Sequence, residues 1–330
     1  MSSKKVLITR LIPGIAKTML TNAGLEVMEW QGDGPMTQQE LITQTKQVNA
    51  LLSLGADKLD KYFFSQCAHL DIIGQFAVGY DNIDIEAASL AGIPVSNTPD
   101  VLSEATADVA FGLMMAVSRK MFYNHKTIIR GEWKQFEPLK NLGFQLSGKT
   151  LGIFGMGRIG MVMAKRCKGA FDMNIIYHNR TRNREAEMRY GATYVSFEEL
   201  IRESDVLSVH SVLSEETRGL FNREVFNQMK PSSIFINTSR GGVHNEADLI
   251  EALTKGSIWG AGLDVTNPEP MKPNNPLLEM PNVAVLPHIG SATVEARNGM
   301  ARLAANNIIS FYRDGSVPNC INPKVLKTPG

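Results

Sequence analysis

Along this chain, short apolar runs alternate with stretches in which apolar residues recur at helical spacing. Runs at 6–9, 26–28, 50–53, 71–75 and 93–96 read as strands, with helical stretches such as 37–45 between them. Strands that alternate with helices predict a parallel sheet. A long helical pattern over about 103–130 follows, closed by Gly131. A second alternating series opens at Gly148, with strands near 150–154, 173–178, 205–209, 232–236, 258–263 and 283–285. Another long helix is predicted over about 293–312. The fold class is therefore α/β, two Rossmann-like doubly wound parallel-sheet domains.

One turn in the second series carries chemistry. Gly155-Met156-Gly157-Arg158-Ile159-Gly160 directly follows an apolar strand and opens a helical stretch. In a dinucleotide-binding turn the first glycine makes the tight bend, the second lets backbone approach a pyrophosphate, and the third allows close packing of helix on strand. The phosphates then rest on the helix N-terminus, where free N–H groups favour anions. About twenty residues on, NAD enzymes usually place an acid against the ribose 2′-hydroxyl. This chain instead reads Asn179-Arg180-Thr181-Arg182, with Arg184 close behind. Guanidinium groups match a phosphate, so NADPH is the expected cofactor, with NADH a possible substitute; a solvated basic helix start is the plainer alternative. Because this turn lies mid-chain, the NAD(P)-binding domain, 101–289, is expected to be inserted in a discontinuous substrate-binding domain, 1–100 with 290–330.

Composition narrows the class. The chain has 330 residues, enough for two domains, and its 34 basic residues nearly balance 33 acidic ones. That balance gives no sign of nucleic-acid or membrane binding. No apolar run approaches a membrane span. The three cysteines, Cys67, Cys167 and Cys320, lack metal-ligand spacing, and no metal site is expected. Reduced thiols and the absence of a signal-peptide pattern suggest a cytoplasmic setting.

Three ionisable residues stand near the ends of late strands. Arg240 follows the run at 232–236, Glu269 lies between Pro268 and Pro270, and His288 follows Pro287 after the last strand. A carboxylate beside an imidazole favours its protonated form and fixes its tautomer, as a proton donor requires. An arginine supplies a fork for a carboxylate and positive charge for a developing alkoxide. Singly, each has a structural reading: a core histidine, a surface turn, an ion-paired arginine. Spacing alone does not join them.

The segments 78–84, 155–160, 237–241, 262–270 and 287–293, in this order along essentially the whole chain, resemble the signature set of the D-isomer-specific 2-hydroxyacid dehydrogenases. Within that family the stretches 98–102, 263–270 and 286–293 are most similar to glyoxylate/hydroxypyruvate reductases. The resemblance implies His288 as general acid/base, Glu269 as its partner and Arg240 as the substrate clamp. It further implies substrate contacts from the backbone of Val78 and Gly79, with Ser291 and Leu54 lining the pocket. On the cofactor side it implies Gly155, Gly157, Arg158, Ile159 and Gly160 at the pyrophosphate, Asn179 to Arg182 at the ribose, Ser211 nearby, and Thr238, Asp264 and Gly290 by the nicotinamide. The implied activity is reversible reduction of small 2-oxo acids such as glyoxylate and hydroxypyruvate to D-2-hydroxy acids, by a homodimer.

There is one departure. Animal-type members carry a tryptophan that reaches the neighbouring subunit's site; counting from Pro138 puts Lys140 there. A 2-ketogluconate reductase or another D-2-hydroxyacid dehydrogenase is the nearest alternative, and an NAD(H)-sensing corepressor-like binding protein a more distant one.

Overall fold

The computed structural model describes residues 3–326 of the chain. Its contacts divide the chain into two compact units: the segments up to Leu102 and from Ala292 onward form one, and Ser103–Ser291 forms the other.

In the first unit β1 (Lys5–Ile8), α1 (Ile15–Asn22), β2 (Glu26–Glu29), α2 (Gln38–Thr45), β3 (Ala50–Ser53), α3 (Lys61–Gln66), β4 (Ile72–Gln75), α4 (Ile85–Leu90) and β5 (Val95–Ser96) follow one another. Among the described residues the sheet has five parallel strands in the order β2-β1-β3-β4-β5. The helices start where short polar side chains satisfy their first amides. Thr37 forms a capping box with Glu40, and Asp60 and Asp84 accept from Phe63 and Ala87. Strands β3 and β4 are buried throughout, as in a sheet covered on both faces, and Leu7, Leu51, Phe63 and Ile73 belong to one core.

The second unit runs α5 (Ser103–Ser118), α6 (Met121–Ile129), β6 (Thr150–Phe154), α7 (Arg158–Phe171), β7 (Asn174–His178), α8 (Arg184–Tyr190), β8 (Thr193–Tyr194), α9 (Phe197–Glu203), β9 (Val206–Val209), α10 (Arg223–Gln228), β10 (Ile234–Asn237), α11 (Glu246–Lys255), β11 (Gly260–Leu263) and β12 (Val283–Val285). The chain then returns to the first unit as α12 (Val294–Asp314), capped by Thr293. Among the described residues the second sheet has seven parallel strands, ordered β12-β11-β10-β9-β6-β7-β8. Alternate residues of β10 serve opposite layers: Ile234 and Ile236 join Leu113, Met114 and Met163, whereas Phe235 joins Phe221, Phe226 and Leu249. This is the doubly wound arrangement, and its strand order reverses between β6 and β9.

One expectation needs correction. The long helix over 103–130 is two helices. Lys120 takes a left-handed backbone (φ 52°), and the Ser118 carbonyl accepts from the Phe144 amide at 2.9 Å, so a returning loop stops α5. In α5, Leu113, Met114 and Val117 are buried in the core of their own unit. The two units divide after Leu102 and after Ser291, and Gly290 is tied into the second by Asp264 and Thr106. Among the described residues no helix is long and apolar enough to cross a membrane.

Candidate active site

The glycine turn lies where the strand order of the second sheet reverses, the crevice in which such sheets bind ligands. Gly155 has φ 99°, and a Cβ there would sit 2.8 Å from the His210 carbonyl carbon and the Ser211 amide. Only glycine lets the loops after β6 and β9 approach this closely. Beside Gly157 the space is open, with no heavy atom within 4 Å of an added Cβ. Helix α7 starts at Arg158 with no side-chain cap on its first amides, followed by Ile159 and Gly160 in its first turn. The Ser211 hydroxyl is buried without a hydrogen-bond partner. Uncapped amides, an open glycine face and an unmet hydroxyl fit a dinucleotide phosphate.

Asn179 accepts from the Met156 amide at 2.6 Å and donates to the Met156 carbonyl at 3.3 Å, so its side chain shapes the glycine turn. Arg182 is committed to Glu187 through two bonds of 2.9 Å, because α8 brings that carboxylate under it; Arg184 and the Tyr177 hydroxyl bind the same group. These bonds, those of Arg182 and Tyr177 foremost, hold the Glu187 carboxyl down at about 2. Arg180 and Thr181 are exposed, and among the described residues Arg180 has no hydrogen-bond or ion-pair partner.

The second unit also assembles the three ionisable residues. His288 Nδ1 donates to Glu269 Oε1 at 2.6 Å, leaving Nε2 as the nitrogen turned to other work. Their side chains are 44% and 42% exposed, so a ligand has access to the pair. Burial pushes the Glu269 carboxyl up, but the His288 hydrogen bond and charge, the Thr266 amide and the Arg240 charge together hold it below its ordinary value. Above the ordinary carboxylate range the ion is fully formed, and it is lost only as pH falls through that lowered value. Arg240 stands just past β10, its carbonyl held by Asn237 Nδ2 at 2.9 Å and its Nη1 donating to the Ser239 carbonyl at 2.8 Å. Thr238 is buried beside His210, its hydroxyl 3.5 Å from Nδ1, and burial pushes that imidazole down to about 4.

The Asp264 carboxylate clamps backbone. It is 1% exposed and accepts from the Ile289 amide at 2.8 Å and the Gly290 amide at 2.7 Å. Burial raises its pKa, and the two amides and the His288 charge only partly offset that rise. Ser291 is partly exposed just beyond this clamp. Sequence reading also missed Asn237 and the buried His244, whose Nδ1 lies 3.0 Å from Asn237 Nδ2. A polar residue closing a buried strand was the available signal.

In the first unit, Val78 and Gly79 follow β4, and among the described residues their amides donate to no protein group. Leu54 is fixed through its amide to Asp57 Oδ2 (2.7 Å) and its carbonyl to Asn82 Nδ2 (3.2 Å). Asn82 in turn accepts from Gln75, which bonds the Gly79 carbonyl, so Leu54 and the 78–79 loop share one network.

A dinucleotide crevice in the same unit as a histidine–carboxylate pair and an arginine defines an NAD(P)-dependent oxidoreductase. Residues 111–290 match the family model for the D-isomer specific 2-hydroxyacid dehydrogenase, NAD binding domain. The chain is 48% identical over 326 residues to a glyoxylate reductase of Thermococcus litoralis (98% of each chain), and 43% identical over 327 residues to that of Pyrococcus furiosus (98% of this chain, 96% of the relative). Among solved structures it resembles a glyoxylate reductase from Paecilomyes thermophila (34% identity, TM-score 0.87, 98% of this chain and all of that one). It also resembles an NADPH-dependent glyoxylate/hydroxypyruvate reductase from Sinorhizobium meliloti in complex with NADP and malonate (31%, TM-score 0.87, 100% of both chains). The chain belongs to the D-isomer-specific 2-hydroxyacid dehydrogenase family.

The open face at Gly157 gives a direct test of the nucleotide crevice. Gly157→Ala should melt at the wild-type temperature without nucleotide, since the added methyl meets nothing. Saturating NADPH should stabilise the wild type by about 3 kcal/mol at a hundredfold excess over Kd, and the variant much less. An equal gain for both would remove the phosphates from this turn.

Proposed function

We propose that this protein reduces glyoxylate and hydroxypyruvate to glycolate and D-glycerate, preferring NADPH to NADH. The observation that carries the reading is the 2.6 Å contact between His288 Nδ1 and Glu269. It fixes the tautomer that keeps Nε2–H available when the ring is charged. A nicotinamide held by the Gly155–Gly160 turn would supply the hydride for the C2 carbonyl. His288 donates its proton to the oxygen there, and Glu269 orients the ring through Nδ1. Arg240 polarises the carbonyl and grips the acid, while the Val78 and Gly79 amides take the carboxylate. Ser291 and Leu54 border the C3 side, Ser291 as a hydrogen-bond partner for the hydroxyl of hydroxypyruvate. The names of the relatives support this substrate class.

Preference for NADPH rests on Arg180 with Thr181; Arg182, already bound to Glu187, buttresses the site from behind. The protein acts as a homodimer. Helix α6 buries none of its residues within the chain, and Ile129, Trp133, Phe136 and Leu139 are 69–86% exposed. Phe136 and Trp133 also line a hollow of about 750 Å³ with Met115 and Phe144, so the one patch offers both projections and a recess, as a two-fold interface requires. Lys140 lies in this patch, paired with Glu137 at 2.9 Å.

His288→Gln should lower kcat for glyoxylate about 10²–10⁴-fold. Glu269→Gln should lower kcat for glyoxylate with KM changed less, because the ring loses the carboxylate that orients it through Nδ1; an unchanged kcat would leave Glu269 a turn residue. Arg180→Asp should raise KM for NADPH by roughly one to two orders of magnitude, the worth of a charge-assisted bond, with KM for NADH little changed; equal losses would contradict the phosphate role. Sedimentation at micromolar concentration should give a dimer, and Phe136→Asp a monomer; a monomeric wild type refutes the interface.

A further inference from the structure

We propose that Asn97 is a positioning residue for carboxylate recognition, turning the Gly79 amide outward by holding the Val78 carbonyl. In a trans peptide the C=O and the following N–H point in opposite directions, so whatever anchors a carbonyl aims the next amide. Both peptides concerned are trans. The Thr98 amide donates to the Ala77 carbonyl at 2.9 Å, which sets the Val78 N–H. Asn97 Nδ2 donates to the Val78 carbonyl at 2.8 Å, which sets the Gly79 N–H. Two adjacent residues of the chain after β5 thus fix two adjacent amides after β4, and those amides donate to no protein group among the described residues. Paired, outward N–H groups that are already ordered are what a carboxylate needs.

Asn97 is itself held on both sides. Its amide donates to the Asn319 carbonyl at 3.3 Å, and its carbonyl accepts from Asn307 Nδ2 at 3.1 Å. Asn307 is fully buried in α12, and its Oδ1 accepts from both the amide and the Nδ2 of Asn319. A three-asparagine relay therefore runs from the end of the chain's return path to the Val78 peptide. Without the Asn97 donor the Val78 carbonyl loses its partner, and the peptide is free to rotate and take the Gly79 N–H with it.

The inference rests on the reading that Val78 and Gly79 hold the substrate's carboxylate. Asn97→Ala removes the donor, and Asn97→Asp keeps the shape while setting a negative oxygen against the Val78 carbonyl. Each should raise KM for glyoxylate about tenfold or more, with kcat changed less and the Kd for NADPH within twofold of wild type. With glyoxylamide, the neutral isostere that lacks the carboxylate, kcat/KM should be unchanged in both variants. If Asn97→Ala does not fold, Asn97→Asp supplies the comparison. An equal loss on acid and amide would make Asn97 merely structural and overturn the proposal, as would an unchanged KM for glyoxylate. A wild-type protein that reduces no 2-oxo acid would bring down the reaction reading as well, whereas normal wild-type turnover with unaffected variants overturns the role of Asn97 alone.

Discussion

A buried carboxylate holds the backbone on which the histidine stands. His288 has a left-handed conformation (φ 54°), which costs an ordinary residue roughly 1–2 kcal/mol. What sustains it is Asp264, whose oxygens each accept an amide from the two residues that follow. Hydrogen bonds to a charged group are worth about 1.5–3 kcal/mol apiece, so two of them outweigh the backbone cost. The clamp is available because β11 and β12 are parallel neighbours, with Leu263 opposite Val285. Asp264 therefore leaves one strand beside the chain that leaves the next. The direction of His288 Nδ1 toward Glu269 follows from sheet register before any side-chain preference enters.

The two units use backbone in contrasting ways. In the second, a side-chain anion fixes main-chain donors so that a neighbouring side chain is aimed. In the first, main-chain and side-chain donors fix carbonyls so that neighbouring main-chain donors are left open. Both devices stand at the carboxyl ends of parallel strands, where the sheet's own hydrogen bonds have run out and the chain's polar groups need other partners. The network of Ser53, Gln75, Asn82 and Asp57 is the same accounting carried through for the loop around Leu54.

Much of this was legible in the sequence, for identifiable reasons. Strands β3, β4 and β9 are mostly apolar and buried throughout because both faces are covered, and the glycine turn is explicit because close backbone approach admits no other residue. The two-residue strand β8, Thr193–Tyr194, is too short to show periodicity. The break between α5 and α6 depends on a loop from beyond residue 140 reaching Ser118, which local pattern does not encode. Spacing reveals the charge of Arg182 but not the Glu187 carboxylate beneath it. Asp264 shows the opposite case: its position was picked out, but its work on backbone amides became visible only with the chain path. His288 and Glu269 were joined by family resemblance, while their 2.6 Å contact belongs to the fold.

The path of the chain has a temporal side. Residues 103–291 are contiguous, so every strand of the seven-stranded sheet has been synthesised once residue 285 has emerged. The first unit must wait. Its edge strand β5 is joined by bonds from Asn322 to Val95 and Ile93 that span 227 and 229 residues, and its buried layer lacks α12 until the chain has passed residue 314. At the roughly 5–20 residues per second of synthesis, this sheet lacks the helix that packs beside α1 for many seconds. Closing contacts of such long sequence separation is also the slow part of folding. The sheet that comes earlier in this sequence is thus completed after the one that follows it, and it is the one that carries the Val78 and Gly79 amides.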